Sequence, residues 1–468
     1  MVGGPQATTC GSQVLVFKWL RNPIALQGYL WVVTQRLRGP TCQTPVIDEQ
    51  RIASFPFVPT NDLPPVVERA EGCTLYFADG RDVLDAGGGA VAVNIGHGRI
   101  EVADAVAEAT RRVSYVLPPW VTEERIALVE LLRSRWLPPA LTRVGFTSGG
   151  SESVDTAVRL AMAHFAALGK PERRKVIGRE ASYHGLTMTA LAISGHQSRR
   201  STFEHVLADH PKMPLDDAEG LEKLLWDEGP ETVAAVIAEP VVGATAGALV
   251  PSDGWWSDVR TLCDQHGVLL ITDEVMTGFG RTGRQFGIDH WEVVPDIMVG
   301  GKGLSGGYAP LGGVFTTDEV VAPIAARGEG LMFFTYSAHS AACAAGIATL
   351  KILEDENLVL ASATKGADLL ERLQRLEGHH AVREVRGLGL MIGIELVADM
   401  SDGTHGPGAS PGAKVVVEAL RRGVWVYPAG DGNVPDALLV GPPFTITDAE
   451  MDRLVQVVSE SISAVYGD

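Results

Sequence analysis

The chain is poor in cysteine, carries no excess of positive charge and contains no long unbroken apolar run. Of its 468 residues only five are cysteine: Cys10, Cys42, Cys73, Cys263 and Cys343. They are scattered and form no Cys-x-x-Cys pair. That excludes a disulfide framework and a zinc site, and predicts reduced thiols in a cytoplasmic protein. No other metal-ligand set is legible. Lysine and arginine number 39 against 57 aspartates and glutamates, a formal net charge of −18. An acidic balance argues against a nucleic-acid partner, which requires a basic footprint. The most apolar stretch, Val14 to Val33, is interrupted by Lys18, Arg21, Asn22, Pro23 and Gln27. It is therefore no membrane span, and it lacks the clean apolar core of a signal peptide. Residues 1–54 read as a loosely attached N-terminal extension, with an interfacial or partner-binding helix as the alternative. There are no internal repeats. Ser401 to Gly412, rich in glycine, proline and serine, reads as a mobile loop.

What is present is a large apolar fraction, 46% of the residues, enough for one large and one smaller domain. From about Phe55 the chain becomes domain-like. Tyr76 to Asp85 reads as a hairpin around Asp79-Gly80, followed by a glycine-rich loop, Gly87 to Gly89. A helical pattern runs from Ile100 toward Arg112. The middle of the chain alternates helices with short apolar runs: Val144–Thr147, Lys175–Gly178, Ala234–Ala238, Val268–Thr272, Ile297–Val299 and Gly312–Thr316. That alternation predicts an α/β domain with a largely parallel sheet. After about Leu350 come helices, the strand-like pieces Gly389–Glu395, Val424–Tyr427 and Ala437–Val440, and a closing helix, Asp448 to Val465. These suit a smaller α+β domain. The expected division is an extension (1–54), the first part of the small domain (55–100), a large domain (101–350) and the rest of the small domain (351–468).

Three apolar runs end in polar residues: Glu239, Asp273 and Lys302. Ligands of open α/β sheets bind at the carboxyl ends of strands, so three such endings converge on one crevice. A lysine that closes a buried run and enters a glycine turn is costly unless it is used. Lys302 as a free amine can condense with an aldehyde, then carry a proton between substrate and cofactor. An acid beside a pyridine nitrogen favours the protonated ring, which draws electrons from a carbanion. Asp273 or the adjacent Glu274 can fill that place; strand alternation points them to opposite faces, so only one serves. An amine and an acid delivered in this way are what pyridoxal phosphate requires.

A phosphate site is also legible. Val144 to Glu152 reads as strand, glycine turn and helix, with Gly150 and Ser151 at the helix N-terminus, where free N–H groups and the helix dipole favour an anion. Read alone, Ser151 is equally an ordinary N-cap. Tyr183-His184-Gly185 enters another turn; the tyrosine either lies over a flat heterocycle or packs in the core. Gly278-Phe-Gly-Arg-Thr-Gly283 matches the spacing of a dinucleotide loop, but no helix pattern opens on it.

Taken together, Leu270 to Gly283 and Lys302-Gly-Leu-Ser-Gly-Gly-Tyr-Ala-Pro-Leu-Gly-Gly313 resemble the class III pyridoxal-phosphate aminotransferases, or ω-aminotransferases. Asn94-Ile-Gly-His-Gly98, Ala238-Glu239-Pro240 and Gly441-Pro442-Pro443 extend the likeness from about Phe55 to the C-terminus. The resemblance implies fold type I, a homodimer and active sites shared across its interface. It implies that Lys302 carries the cofactor as a Schiff base and that Asp273 pairs with the ring nitrogen. Val275 and Tyr183 would cover the two ring faces, with His184 and Glu239 beside them. Gly150 and Ser151 would hold the phosphate, and Thr335 would reach it from the neighbouring subunit. The chain departs from the pattern at Gly149, where the family has a serine, and at Ala338-His339-Ser340, where it has Gly-His-Pro. The arginine that relatives acting on ornithine or 4-aminobutyrate place opposite the glutamate is Leu439 here. The mobile arginine of amine–pyruvate relatives falls on Gly430-Asp-Gly-Asn433. An α-keto acid would need another cation; Arg421 and Arg422 are near in sequence. The expected reaction moves an amino group from a primary amine or ω-amino acid to a keto acid, pyruvate first among them, or to an aldehyde. Leu439 and Trp120 favour a bulky or uncharged amine. A decarboxylase, aminomutase or racemase on the same scaffold is the alternative.

Overall fold

The computed structural model describes residues 65–467, apart from 329, 331–332, 398–409, 431–433 and 435. The N-terminal extension, most of the glycine- and proline-rich loop and most of the Gly430–Asn433 segment lie outside the described residues.

The hairpin is present as β2 (Thr74–Phe77) and β3 (Asp82–Asp85), with β1 (Val67–Glu71) antiparallel on the outer side of β2. Gly80 takes a left-handed φ of 83° in the turn, a conformation glycine reaches without Cβ strain. The glycine-rich loop that follows closes into a short irregular helical turn, Gly88–Val91, with Gly89 at φ 65°. Ile100–Arg112 is a helix, as its apolar spacing predicts.

The central sheet has seven strands. They are β4 (Arg143–Thr147), β5 (Lys175–Arg179), β6 (Lys212–Met213), β7 (Val233–Ala238), β8 (Leu269–Asp273), β9 (Ile297–Gly300) and β10 (Gly312–Thr316), in the order β4-β10-β9-β8-β7-β5-β6. β9, β8, β7, β5 and β6 run parallel, and β10 is antiparallel to both its neighbours. Every residue of β7, β9 and β10 is buried, as expected of strands covered on both faces. The helix Gly150–Ala167 packs on β9, β10 and β7, and Val154, Ala157, Val158, Ala161 and Phe165 face inward.

A third sheet has the order β11-β12-β15-β14: β11 (Val382–Leu388), β12 (Met391–Leu396), β14 (Tyr427–Ala429) and β15 (Ala437–Val440). Two expectations are corrected here. The run Gly389–Glu395 begins as a turn: Gly389 turns at φ 54° between β11 and β12, the strand starts at Met391, and β11 has no apolar signature because only Val382 and Val385 of its residues are apolar and buried. The run Val424–Tyr427 is divided between two sheets. β13 (Val424–Trp425) pairs parallel with β3, whereas β14 pairs with β15. The C-terminal part of the chain thus completes the N-terminal sheet. The closing helix is Asp448–Tyr466, capped at Thr447 by a reciprocal bond with Glu450.

Candidate active site

The carboxyl ends of β7, β8 and β9 meet, and each delivers one ionisable side chain. Glu239 follows the last residue of β7, Asp273 ends β8, and Lys302 stands two residues past β9. Glu239 and Asp273 are buried, and Lys302 is half-buried with its amine desolvated. Lys302 has a left-handed φ of 42°, unusual for a side chain with a Cβ and worth roughly 1–2 kcal/mol of strain. The turn Lys302–Leu304 holds it there.

Strand alternation turns Asp273 and Glu274 to opposite sides. Asp273 points into the site. Its two oxygens accept from the Val275 N–H at 3.0 Å and from His184 Nδ1 at 2.7 Å. Glu274 points the opposite way and accepts from Thr277 Oγ1 and the N–H groups of Gly287 and Ile288. It is a buried brace for the turn after β8, and burial lifts its carboxyl to about 7.

Electrostatics around Lys302 are set first by burial, which lowers its amine to about 8, while Asp273 and Glu239 oppose that shift. Glu239 is pushed well above the usual carboxylate range by burial and by the neighbouring Asp273; Arg179 and Lys302 pull the other way. Two buried polar atoms in this group, Glu239 Oε2 and His184 Nε2, have no hydrogen-bond partner among the described residues. Unpaired buried polar atoms are costly and point to a missing ligand atom.

The glycine turn between β4 and the Gly150–Ala167 helix forms the adjoining wall. A Cβ on Gly150 would lie 2.8 Å from Val275 Cγ1, so the backbone here sits directly against that side chain. A Cβ on Gly185 would lie 2.4 Å from Ser151 Oγ, so the Tyr183–Gly185 turn is pressed onto the helix start. Ser151 Oγ accepts from the Leu186 N–H at 3.1 Å, which leaves its own proton to donate. The first-turn N–H groups of the helix have no intrahelical acceptor. This cradle fits an anionic group, and the lysine, acid and orphaned atoms beside it fit a heterocyclic aldehyde. Position 149 lacks a hydroxyl. Ser153 carries a different one, which bonds Thr147 Oγ1 at 2.8 Å and the Gly300 carbonyl at 3.1 Å and so ties the helix to the end of β9.

Tyr183 is half-buried. Its ring meets the edge of His196 at a centroid distance of 6.2 Å, and the Arg199 guanidinium lies 4.2 Å from its centroid. The remaining expected residues are placed elsewhere. Thr335 is exposed, with its carbonyl accepting from the Tyr115 hydroxyl at 3.1 Å. Trp120 is 66% exposed. Leu439 is fully buried in an apolar cluster with Val91, Val241 and Met391, the surroundings of a core side chain, and it is not carried forward as a substrate contact. Arg421 and Arg422 are engaged by Glu418 and Glu460 on the outer surface and are not offered to the site. The Gly278–Gly283 segment opens no helix; Arg281 within it is buried and bonds the carbonyls of Leu390 and Pro442. A groove of about 630 Å³ lined by Glu101, Glu108, Glu124 and Lys351 shares no residue with this cluster.

Sequence reasoning missed Arg179, which ends β5, stacks 3.8 Å from a Trp255 ring and donates to the Glu239 carbonyl. It also missed Arg199. Neither position carries a local signal, because the partners are distant in the chain.

Residues 58–462 match the family description "Aminotransferase class-III". The chain belongs to the class III aminotransferases. Membership makes it a pyridoxal-phosphate-dependent transaminase of fold type I. It is similar to the uncharacterized aminotransferase YodT of Bacillus subtilis, 35% identical over 424 residues that cover 86% of this chain and 95% of the relative. It is also similar to the putrescine–pyruvate aminotransferase of Pseudomonas aeruginosa, 31% identical over 85% of this chain and 90% of that one. Among solved structures, an (S)-enantioselective ω-transaminase from Thermomicrobium roseum superposes with a TM-score of 0.83 at 36% identity, covering 89% of this chain and 98% of that one. Among the described residues, no helix is long and apolar enough to cross a membrane.

Proposed function

We propose that this aminotransferase is an ω-transaminase that takes the amino group of a primary amine or ω-amino acid and passes it to a keto acid such as pyruvate, or to an aldehyde. The observation that carries the reading is the buried Lys302 amine between Asp273 and Glu239 at the ends of three adjacent strands, beside the open N-terminus of the Gly150–Ala167 helix. Relatives named for putrescine–pyruvate and ω-transaminase activity support it.

Pyridoxal phosphate, when bound, supplies an aldehyde to accept the amino group and a ring to stabilise negative charge. Lys302 would hold it covalently and, as a free amine, would carry a proton to and from the reacting carbon. Its lowered proton affinity brings the free amine within reach just above neutral pH. Asp273 would pair with the ring nitrogen, and His184 fixes its carboxyl. Gly150 and Ser151 would hold the phosphate, and Val275 and Tyr183 would cover the ring. Glu239, whose carboxyl burial and Asp273 push well above the usual range, would lie beside the cofactor with its unpaired Oε2.

The chain acts as a homodimer in this reading. Tyr115, Leu117, Trp120, Phe333 and Tyr336 are exposed large apolar side chains, and Tyr115 packs on Tyr336 at 6.1 Å beside Thr335. Apolar exposure of that kind marks an interaction surface. Thr335 would there reach the partner's phosphate site, and Trp120 its substrate. The division into a large domain (101–350) and a small one (55–100 with 351–468) belongs to the same reading. So does a cytoplasmic location, which the buried free thiols Cys73, Cys263 and Cys343 favour.

The test is an amine panel with pyruvate as acceptor, followed by alanine formation. An arylalkyl amine is expected to outpace 4-aminobutyrate. Release of carbon dioxide without alanine, or turnover that ignores pyruvate, would point to another reaction on this scaffold.

A further inference from the structure

A keto acid brings a carboxylate that needs a cation, and the arginines at the end of the helix Pro411–Arg421 are already paired outside. We propose that Arg199 is the residue that receives the carboxylate of the acceptor keto acid; the proposal rests on the transaminase reading above.

Four observations carry it. The Arg199 guanidinium lies 4.2 Å from the centroid of the Tyr183 ring, so it sits at the edge of the cluster around Lys302. Among the described residues it forms no ion pair, and its Nε is buried without a hydrogen-bond partner. Arg199 is half-buried and hydrogen-bonds Tyr183, and a guanidinium whose Nε is enclosed and unpaired gains from meeting an acid in the working protein. Its charge also acts on Lys302, lowering the amine, and on His196 and Tyr183. The adjacent Arg200 does the opposite job: it donates to the carbonyls of Leu191, Ala192 and Ser194 and so fastens the Gln197–Arg200 turn beneath its neighbour. One arginine of the pair is a fastener and the other is left with donors to spare.

The chemistry of the acceptor fits this placement. An α-keto acid carries its carboxylate on the carbon next to the one that must reach the lysine amine. The cation must therefore lie within one small molecule of Lys302. A guanidinium offers two parallel donors to a carboxylate and holds its plane. An aldehyde acceptor has nothing for it to hold.

The experiment compares wild type, Arg199→Gln and Arg199→Lys with one amine donor and two acceptors, pyruvate and propanal. Binding of propanoate, an unreactive carboxylate, is measured in parallel by calorimetry. For Arg199→Gln, kcat/KM with pyruvate is expected to fall roughly 10- to 100-fold, the usual loss for one charge-assisted contact, mainly through KM. With propanal the loss is expected to be several-fold smaller, because only the effect shared by both acceptors, through Lys302 and Tyr183, remains, and Arg199→Lys recovers part of the pyruvate loss. Propanoate binding weakens in step. Equal losses with both acceptors would mean that Arg199 only positions Tyr183, and would overturn the proposal. So would unchanged propanoate binding in Arg199→Gln. A wild type that transaminates nothing yet binds propanoate through Arg199 would sink the transaminase reading and leave this one standing.

Discussion

Replacing Lys302 by methionine should make the cofactor-free protein more stable. The amine is buried, and its affinity for a proton falls from the ordinary 10.5 to about 8 because desolvation outweighs the attraction of Asp273 and Glu239. A fall of that size corresponds to roughly 3 kcal/mol against holding the protonated amine in the folded state. Methionine has a similar stem, no charge, and the same Cβ, so the backbone strain at φ 42° is common to both chains and cancels. At about pH 7 the lysine is protonated both folded and unfolded, and the methionine variant should lead by roughly 3 kcal/mol. Above about 8 the folded lysine loses its proton while the unfolded one keeps it. The unfolded state then binds more protons, wild-type stability rises with pH, and the lead should narrow by roughly 1 kcal/mol between about pH 7 and about pH 9. It would vanish as the pH approaches 10.5. Urea unfolding of both proteins, stripped of cofactor, measures the lead at each pH. Stripping matters because a bound cofactor stabilises only the folded wild type. A methionine variant less stable than wild type at neutral pH, or a lead that ignores pH, would refute the reasoning.

Two further outcomes follow from the braces around the site. Glu274, raised by burial from 4.5 to about 7, holds a proton in the folded state that the unfolded chain has released, so its contribution is full below about 4.5 and is lost as pH rises to about 7. Wild type should therefore lose up to roughly 3 kcal/mol relative to Glu274→Gln across that window, measured as paired unfolding midpoints; parallel pH curves would contradict it. Gly150→Ala places a Cβ 2.8 Å from Val275 Cγ1. Overpacking of this kind costs about 1–3 kcal/mol and should weaken pyridoxal phosphate binding by more than it lowers the melting temperature of the cofactor-free protein, as read by cofactor titration.

Much of the site is legible in the chain because β-structure writes itself locally. Apolar runs that end in Glu239, Asp273 and Lys302 announce strand ends, and parallel neighbours bring those ends together. The alternation of Asp273 and Glu274 shows that one faces in and one faces out. The assignment of each waits for their partners, His184 at 89 positions away and the Gly287–Ile288 amides. The same limit hides Arg179 and Arg199, whose meaning comes from ring contacts made by the fold. Leu439 reads differently for a related reason: its place shortly before Gly441-Pro442-Pro443 suggests a substrate contact, but its side chain lies in an apolar cluster. The short segments fail through brevity. β13 and β14 are two and three residues long, too short for any period, so only pairing reveals that they serve different sheets.

The most direct measurement is the visible absorbance of the purified protein with pyridoxal phosphate, first alone, then with an amine, then with pyruvate, in wild type and Lys302→Met. The account predicts a yellow band in wild type that the amine bleaches and pyruvate restores, and no such band in Lys302→Met. A band of equal strength in Lys302→Met, or one in wild type that no amine disturbs, would contradict the assignment of Lys302 as the residue that holds the cofactor and exchanges it for the substrate.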